Sequence, residues 1–288
     1  MYSEFMPEGR YGPSFLVNWK RNPYAKIGQI VHVEVDYYDI ADDMIYLHGK
    51  NFDGYMSKNE LSIYGADCYL DSKTPKFVFK ALADGLCLTV LIIGFDKKNN
   101  MFVFSRKETM QKALSRLECG QTIIAYKMGA TKNTIFLDIG AGINAIIPAY
   151  EVSCCKIPNI AEYFKDRDLI MVKLIGEGSY ANKFIASYKQ ACTPKCIKEH
   201  DIVFGKTIAF TNDMTGIFVE LSPLQAGIVD LEEGLLVVES EALAFLEPHI
   251  IIGREYPFWV KRIKKSKHTG ELQYALRVID FSNNCFNN

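Results

Sequence analysis

Along most of the chain apolar residues return at every second place, in short runs bounded by Gly, Asn, Asp and Lys, as in IVHVEVDYYD from Ile30 and MIYLH from Met44. A period of two puts one face of a strand in a core and the other in solvent, and short runs of this kind separated by turn residues predict an all-β protein. Helical patterning is confined to two connections, NIAEYFKDRD (Asn159 to Asp168) and SEALAFLEP (Ser240 to Pro248). Before about Ala25 the alternation lapses. The stretch MPEGRYGPSFLVNW is rich in Gly, Pro and aromatic residues without period, and residues 1–25 read as an irregular leader packed on the first folded unit.

The same succession of runs occurs three times, and a repeat of this size sets the architecture. Each copy opens on a glycine and a β-rich stretch: Gly28 in IGQIVHVEVDYY, Gly120 in CGQTIIAYKMGA and Gly205 in FGKTIAFTND. A second strand follows, MIYLHG, TIFLDIG or GIFVELS, and then a third with its turn, FDGYMSKNELS, INAIIPAYEVS or QAGIVDLEEG. After a variable connection two strands close the unit, from Leu88, Ile170 and Pro257. Five strands joined mostly by hairpins are what a small barrel needs to remove its exposed edges. The predicted domains are barrels over residues 26–110, 114–190 and 200–282, with short linkers around Gln111 to Arg116 and Gln190 to Lys198.

The length of 288 residues agrees with several small cores, and 49% hydrophobic with 23% charged residues predicts a chain that folds throughout. No basic stretch followed by an apolar core opens the sequence. The longest apolar run, Cys87 to Phe95, contains Thr89 and Gly94 and is too short to cross a bilayer. These features predict a cytoplasmic protein with no membrane partner. The eight cysteines then read as free thiols. Cys192, Cys196 and His200 lie four residues apart, three soft ligands where a structural zinc takes four; the expectation is a linker with buried thiols and no metal.

Net charge is only −1, but it is unevenly spread. Asp36 to Asp71 carries eight acidic residues against Lys50 and Lys58, whereas Arg254 to Arg277 carries seven basic residues against Glu255 and Glu271. The two ends of the chain present opposite fields.

The order glycine, strand, aromatic-bearing strand, xGxxPxxEVS, VKxI with a polar hairpin and a final xxSxK resembles the S-one domain family. This is the RNA-binding OB barrel repeated in the largest protein of the bacterial small ribosomal subunit. The resemblance is clearest from Gly120 to Lys189, where LDIGAGINAIIPAYEVS is followed by MVKLIGE; it rests on GYMSKNELS and VLIIGFDKKNNMFVFSRK in the first unit and mainly on GIFVELS in the third. It extends over residues 26 to 282, so the chain resembles a shortened relative of that ribosomal protein. The fold it implies is three tandem five-stranded OB-type barrels, all-β, with short helices in the connections. The function it implies is single-stranded RNA binding linked to translation.

Barrels of this kind hold single strands by stacking bases on outward aromatics and tracking phosphates with Lys and Arg. Alternation places Ile45, Leu47, Ile135, Leu137, Ile217 and Val219 inward, so Tyr46, Phe136 and Phe218 face out, at a position the resemblance makes a base-stacking site. Its other contact positions have changed: the second aromatic corresponds to Asp43, Asn133 and Thr215, and the histidine to Ser57, Pro148 and Asp230. At the polar hairpin the family's acidic residue is matched by Asp96 and Gly178, and Asn100 and Lys183 fall near its arginine. Lys127, Lys132 and Lys183 in the second unit and Lys261, Arg262, Lys264 and Lys265 in the third are the basic candidates. The acidic first barrel is expected to meet protein, such as the ribosome.

Nothing in the chain pairs a histidine with a nucleophile signature or forms a phosphate-binding loop, and Gly140 with Gly142 reads as a turn between strands. The expectation is a non-catalytic protein with no cofactor, holding single-stranded RNA. The alternative is a protein-interaction scaffold of the same fold whose RNA face has eroded.

Overall fold

A computed structural model describes residue 8 and residues 25–39, 41–63, 87–165, 168–178, 184–211, 215–230, 251–265 and 272–279. Three successive sets of five strands each close into a barrel. The first contains β1 (Ile30–Asp39), β2 (Met44–His48), β3 (Asp53–Ser57), β4 (Cys87–Asp96) and β5 (Met101–Ser105). The second contains β6 (Thr122–Ala130), β7 (Thr134–Asp138), β8 (Asn144–Pro148), β9 (Leu169–Glu177) and β10 (Phe184–Ser187); the third, β11 (Ile202–Phe210), β12 (Gly216–Ser222), β13 (Gln225–Asp230), β14 (Glu255–Lys265) and β15 (Leu272–Val278). All share the order first, second, third, fifth, fourth. The third strand runs parallel to the fifth, as in Gly54 with Phe102, Ala145 with Phe184 and Ala226 with Gln273. The fold is thus all-β, three tandem five-stranded barrels of the OB type.

The alternation works as the sequence predicts: Ile45, Leu47, Ile135, Leu137, Ile217 and Val219 are each 2% exposed or less. Val33, Val90, Met56 and Phe104 complete the first core, and Val229, Phe258, Val260 and Tyr274 the third. The first strand of every barrel carries an irregularity at one place, between Val35 and Tyr37, Lys127 and Gly129, and Thr207 and Ala209. An extra residue there bends a strand, which helps a sheet of five curl shut.

The register corrects one alignment. Gly28 donates its N–H to the Ile92 carbonyl, Gly120 to Leu174 and His200 to Val260, each at 2.7 Å, and all three have positive φ, +88°, +96° and +72°. His200 therefore opens the third barrel where glycines open the other two. Gly205 instead matches Val33 and Ala125 as an inward position, where a Cβ would lie 2.5 Å from Cγ1 of Val219.

Of the two expected helical connections, the described residues of Asn159 to Asp168 contain one 3-10 turn, Ile160–Glu162, and Ser240 to Pro248 lies outside the described residues. A true helix stands where the sequence reads strand end and linker: α1, Arg106–Leu114. Ser105 caps it, its hydroxyl accepting the Glu108 N–H at 3.0 Å.

By compactness the chain divides into two units, Met1–Ala130 with Ile135–Ile147 and Phe164–Ala186, and Thr131–Thr134 with Pro148–Tyr163 and Ser187–Asn288. In the first unit a buried ionic knot gathers distant segments. Arg106, 3% exposed, donates through Nη2 (2.7 Å) and Nε (3.0 Å) to Glu8 and through Nη1 to the Leu61 carbonyl (2.7 Å). Glu8 also accepts the Thr89 N–H at 2.8 Å, and its own N–H donates to Asp138 at 2.7 Å. Asp138 holds the turn to β8 as well, accepting the Gly140 N–H at 2.7 Å. A side chain at Gly142 would run into the Arg106 guanidinium, 1.6 Å from Nη2, so the DIGAGINA turn makes room for the knot. In the second unit Glu220 accepts the hydroxyls of Ser153 and Tyr163.

Candidate nucleic-acid interface

Tyr46, Phe136 and Phe218 leave their barrels on the outer side of β2, β7 and β12, between the buried pairs that flank them. Their surroundings differ. In the first barrel Tyr46 pairs across the sheet with Tyr37 and with Tyr55. Tyr37 and Tyr46 are stacked, centroids 4.5 Å apart and planes 14° apart, and Tyr55 lies 6.2 Å beyond at 52°. The Tyr55 hydroxyl donates to Asp96 at 3.1 Å. Burial raises the Tyr55 and Tyr37 phenols, reinforced by Asp96 for the one and by Tyr46, Asp39 and Asp36 for the other. Asp96 is held below its usual range, first by the Asn99 side chain.

The second barrel puts Gly129 beside Phe136, and the third puts Ala209 and Ile228 beside Phe218, so each keeps a single ring on this row. In the third barrel the row continues from Phe218 through Ile228 and Ala275 to Arg262. Phe218 is 45% exposed, and Lys261, Arg262, Lys264 and Lys265 are exposed along β14. The outside of this barrel thus carries an apolar ring on one strand and a run of cations on another.

No protein-family model matches the chain, and no curated protein matches it. Solved structures do. One chain of the a/eIF2alpha–aDim2p–rRNA complex from Pyrococcus horikoshii is similar at 20% identity over 27% of this chain and 47% of its own, with a TM-score of 0.25. GSP13 from Bacillus subtilis is similar at 19% identity over 29% of this chain and 66% of its own, TM-score 0.25. A multidomain protein with nucleic acid binding domains from Streptococcus pneumoniae is similar at 10% identity over 87% of this chain and 74% of its own, TM-score 0.25. The present chain thus spans about half of the first of these and just under two thirds of the second. These likenesses give no residue a role.

Lys127 is a correction. It sits at the inward position held by Val35 and Thr207 in the other barrels, 2% exposed, and its ammonium donates to the Phe164 carbonyl at 2.7 Å. Thr207 does similar work, its hydroxyl donating to the Ile251 carbonyl at 2.9 Å. The lysine ties a connection to its barrel and is turned away from the outer face. Lys132 is exposed in the turn between β6 and β7, and Lys183 lies outside the described residues.

The Cys192, Cys196 and His200 spacing resolves differently from a ligand set. No three His, Cys, Asp or Glu side chains among the described residues are grouped to hold a metal ion. Cys196 is exposed and Cys192 half-buried, against the expectation of buried thiols. The His200 ring lies 5.3 Å from Trp259. No helix among the described residues is long and apolar enough to cross a membrane.

Sequence reasoning missed Tyr37 and Tyr55. Alternation marks Tyr55 as outward but puts Tyr37 on the inward side of Val33 and Val35; the irregularity after Val35 turns Tyr37 out, and only the register across β1, β2 and β3 reveals that the two flank Tyr46.

Proposed function

We propose that the protein holds single-stranded RNA on the outer faces of its second and third barrels, without catalysis and without a cofactor. The S-one resemblance of its repeats extends this reading to the cytoplasm and to translation. The observation that carries it is the outside of the third barrel, which presents an exposed ring, Phe218 on β12, and an exposed run of cations along β14. A ring of this kind takes the face of a base whatever its identity, and a cationic strand tracks the phosphates. Phe136 offers a second stacking position, with Lys132 in the adjoining turn. Two modest sites on one chain gain strength from being linked.

Fluorescence anisotropy of a labelled single-stranded RNA tests the proposal. Wild-type binding is expected to weaken with salt, and the Phe136→Ala, Phe218→Ala double variant to lose about tenfold or more, as the loss of one or two base stacks implies. A folded wild type that binds no RNA even at low salt overturns the reading in favour of the protein-interaction scaffold.

A further inference from the structure

The first barrel departs from the other two on the row where they keep one ring. Its paired positions read Tyr37, Tyr46, Tyr55, Val103 and Gly94, against Ala209, Phe218, Ile228, Ala275 and Arg262 in the third barrel. One row has three rings and no cation. The other has one ring and a cation.

The charge around the tyrosines has the opposite sign to that along β14 of the third barrel. From Ile30 to Ser57 the chain carries Glu34, Asp36, Asp39, Asp42, Asp43 and Asp53 against Lys50 alone. Asp43 is engaged by Tyr38 and by Lys58 at 3.5 Å, and Asp96 by the Asn99 side chain at 2.8 Å and by Tyr55. Asp36 and Asp42 are exposed, and Asp36 and Asp39 lie close enough to the Tyr37 hydroxyl to act on it electrostatically. Such a field repels phosphate and concentrates cations.

We infer that the tyrosine ladder of the first barrel is a docking face for a basic peptide segment, which lays arginine or lysine side chains over the tyrosine rings. Among the described residues Tyr37 ends the ladder, with 48% of its surface exposed, and since Tyr46 covers one face of its ring, the other is where a cation sits. A guanidinium stacks there and reaches the neighbouring carboxylates, two contacts that arginine makes better than lysine. This face is separate from the proposed RNA face, and the two stand or fall independently.

The test uses the full chain and two labelled peptides, one alternating Arg and Ser and the other Glu and Ser, with a labelled single-stranded RNA measured in parallel. The Arg–Ser peptide is expected to bind in a salt-sensitive way and the Glu–Ser peptide not to bind. Tyr37→Ala is expected to weaken the Arg–Ser complex roughly three- to tenfold, the range of a cation–π contact. The Asp36→Asn, Asp39→Asn double variant should weaken it comparably, and both variants should leave RNA affinity unchanged. Because the substituted side chains are on the outer face, circular dichroism is expected to report unaltered folding. Equal affinity for the two peptides, or an Arg–Ser affinity that neither variant changes, overturns the inference. Loss of RNA binding in Tyr37→Ala with peptide binding intact overturns it too, and makes the ladder a base-stacking platform.

Discussion

His200 shows how much one backbone angle asks of a residue. Its φ of +72° belongs to a region that glycine enters freely and a side chain enters at a cost of about 1 kcal/mol. The other two barrels have glycine there, so His200→Gly is expected to raise stability by a few tenths to about 1 kcal/mol, part of the gain being returned through the freer unfolded chain. A urea midpoint that moves upward with an unchanged slope verifies it; a lower midpoint means that the contact with Trp259 outweighs the strain. The sequence made Gly205 the partner of Gly28 because composition does not distinguish a glycine that turns the chain from one that lets side chains approach. Lys127 misleads for a related reason: alternation places it inward, but its charge argues for the surface, and only the Phe164 carbonyl at the barrel's end reconciles the two.

At the scale of the element, strands were legible and the helix was not. Period-two alternation is strong in every barrel, and the buried positions fall where it places them. Helix α1 is nine residues long and buries Arg106, Thr109, Met110 and Ala113, a set too polar to stand out as an apolar stripe. Its signal lies at the start, in Ser105 and Glu108, the spacing of a capping box. The same serine recurs as Ser187, which accepts the Gln190 N–H at 3.0 Å at the end of β10. Ser105→Ala is expected to destabilise the protein by about 1 kcal/mol through loss of the cap, read as a lower thermal midpoint. Ser105→Asp, which can cap as well, should not recover it, because the buried Ser105 hydroxyl also donates to Glu60 and a carboxylate in its place meets another carboxylate. The tyrosine ladder was hidden for another reason, since its members come from three strands and meet only through register.

For the whole molecule, the knot of Glu8, Arg106 and Asp138 could not be foreseen, because it joins residues more than a hundred positions apart in a part of the chain without period. Removing one partner of a buried ion pair commonly costs 3–5 kcal/mol. Burial, then the charge of Glu8, pushes the Asp138 carboxyl from its ordinary 3.8 up to about 7. Where the unfolded chain ionises this group and the folded one does not, the native state loses ground. Asp138 therefore favours folding most below about pH 4, and that contribution declines as pH rises towards 7. In urea titrations at pH 5 and pH 8, Asp138→Asn is expected to remove this part of the pH dependence, whatever its effect on absolute stability. Identical pH dependence in wild type and variant would show that the carboxyl is ionised in the folded protein throughout.

The parallel pairing of third with fifth strands has a consequence for the newborn chain. As the first barrel emerges from the ribosome, β3 waits for β5, roughly forty residues further on, and at ordinary rates of synthesis that wait lasts several seconds. Until β5 arrives, β3 shows one row of unsatisfied backbone groups on which a neighbouring nascent chain can template. The hazard returns twice more, at β8 and at β13. Polysomes crowded with this message are therefore where its misassembly is expected to begin, and a truncation just short of Met101, Phe184 or Leu272 turns a passing vulnerability into a permanent one.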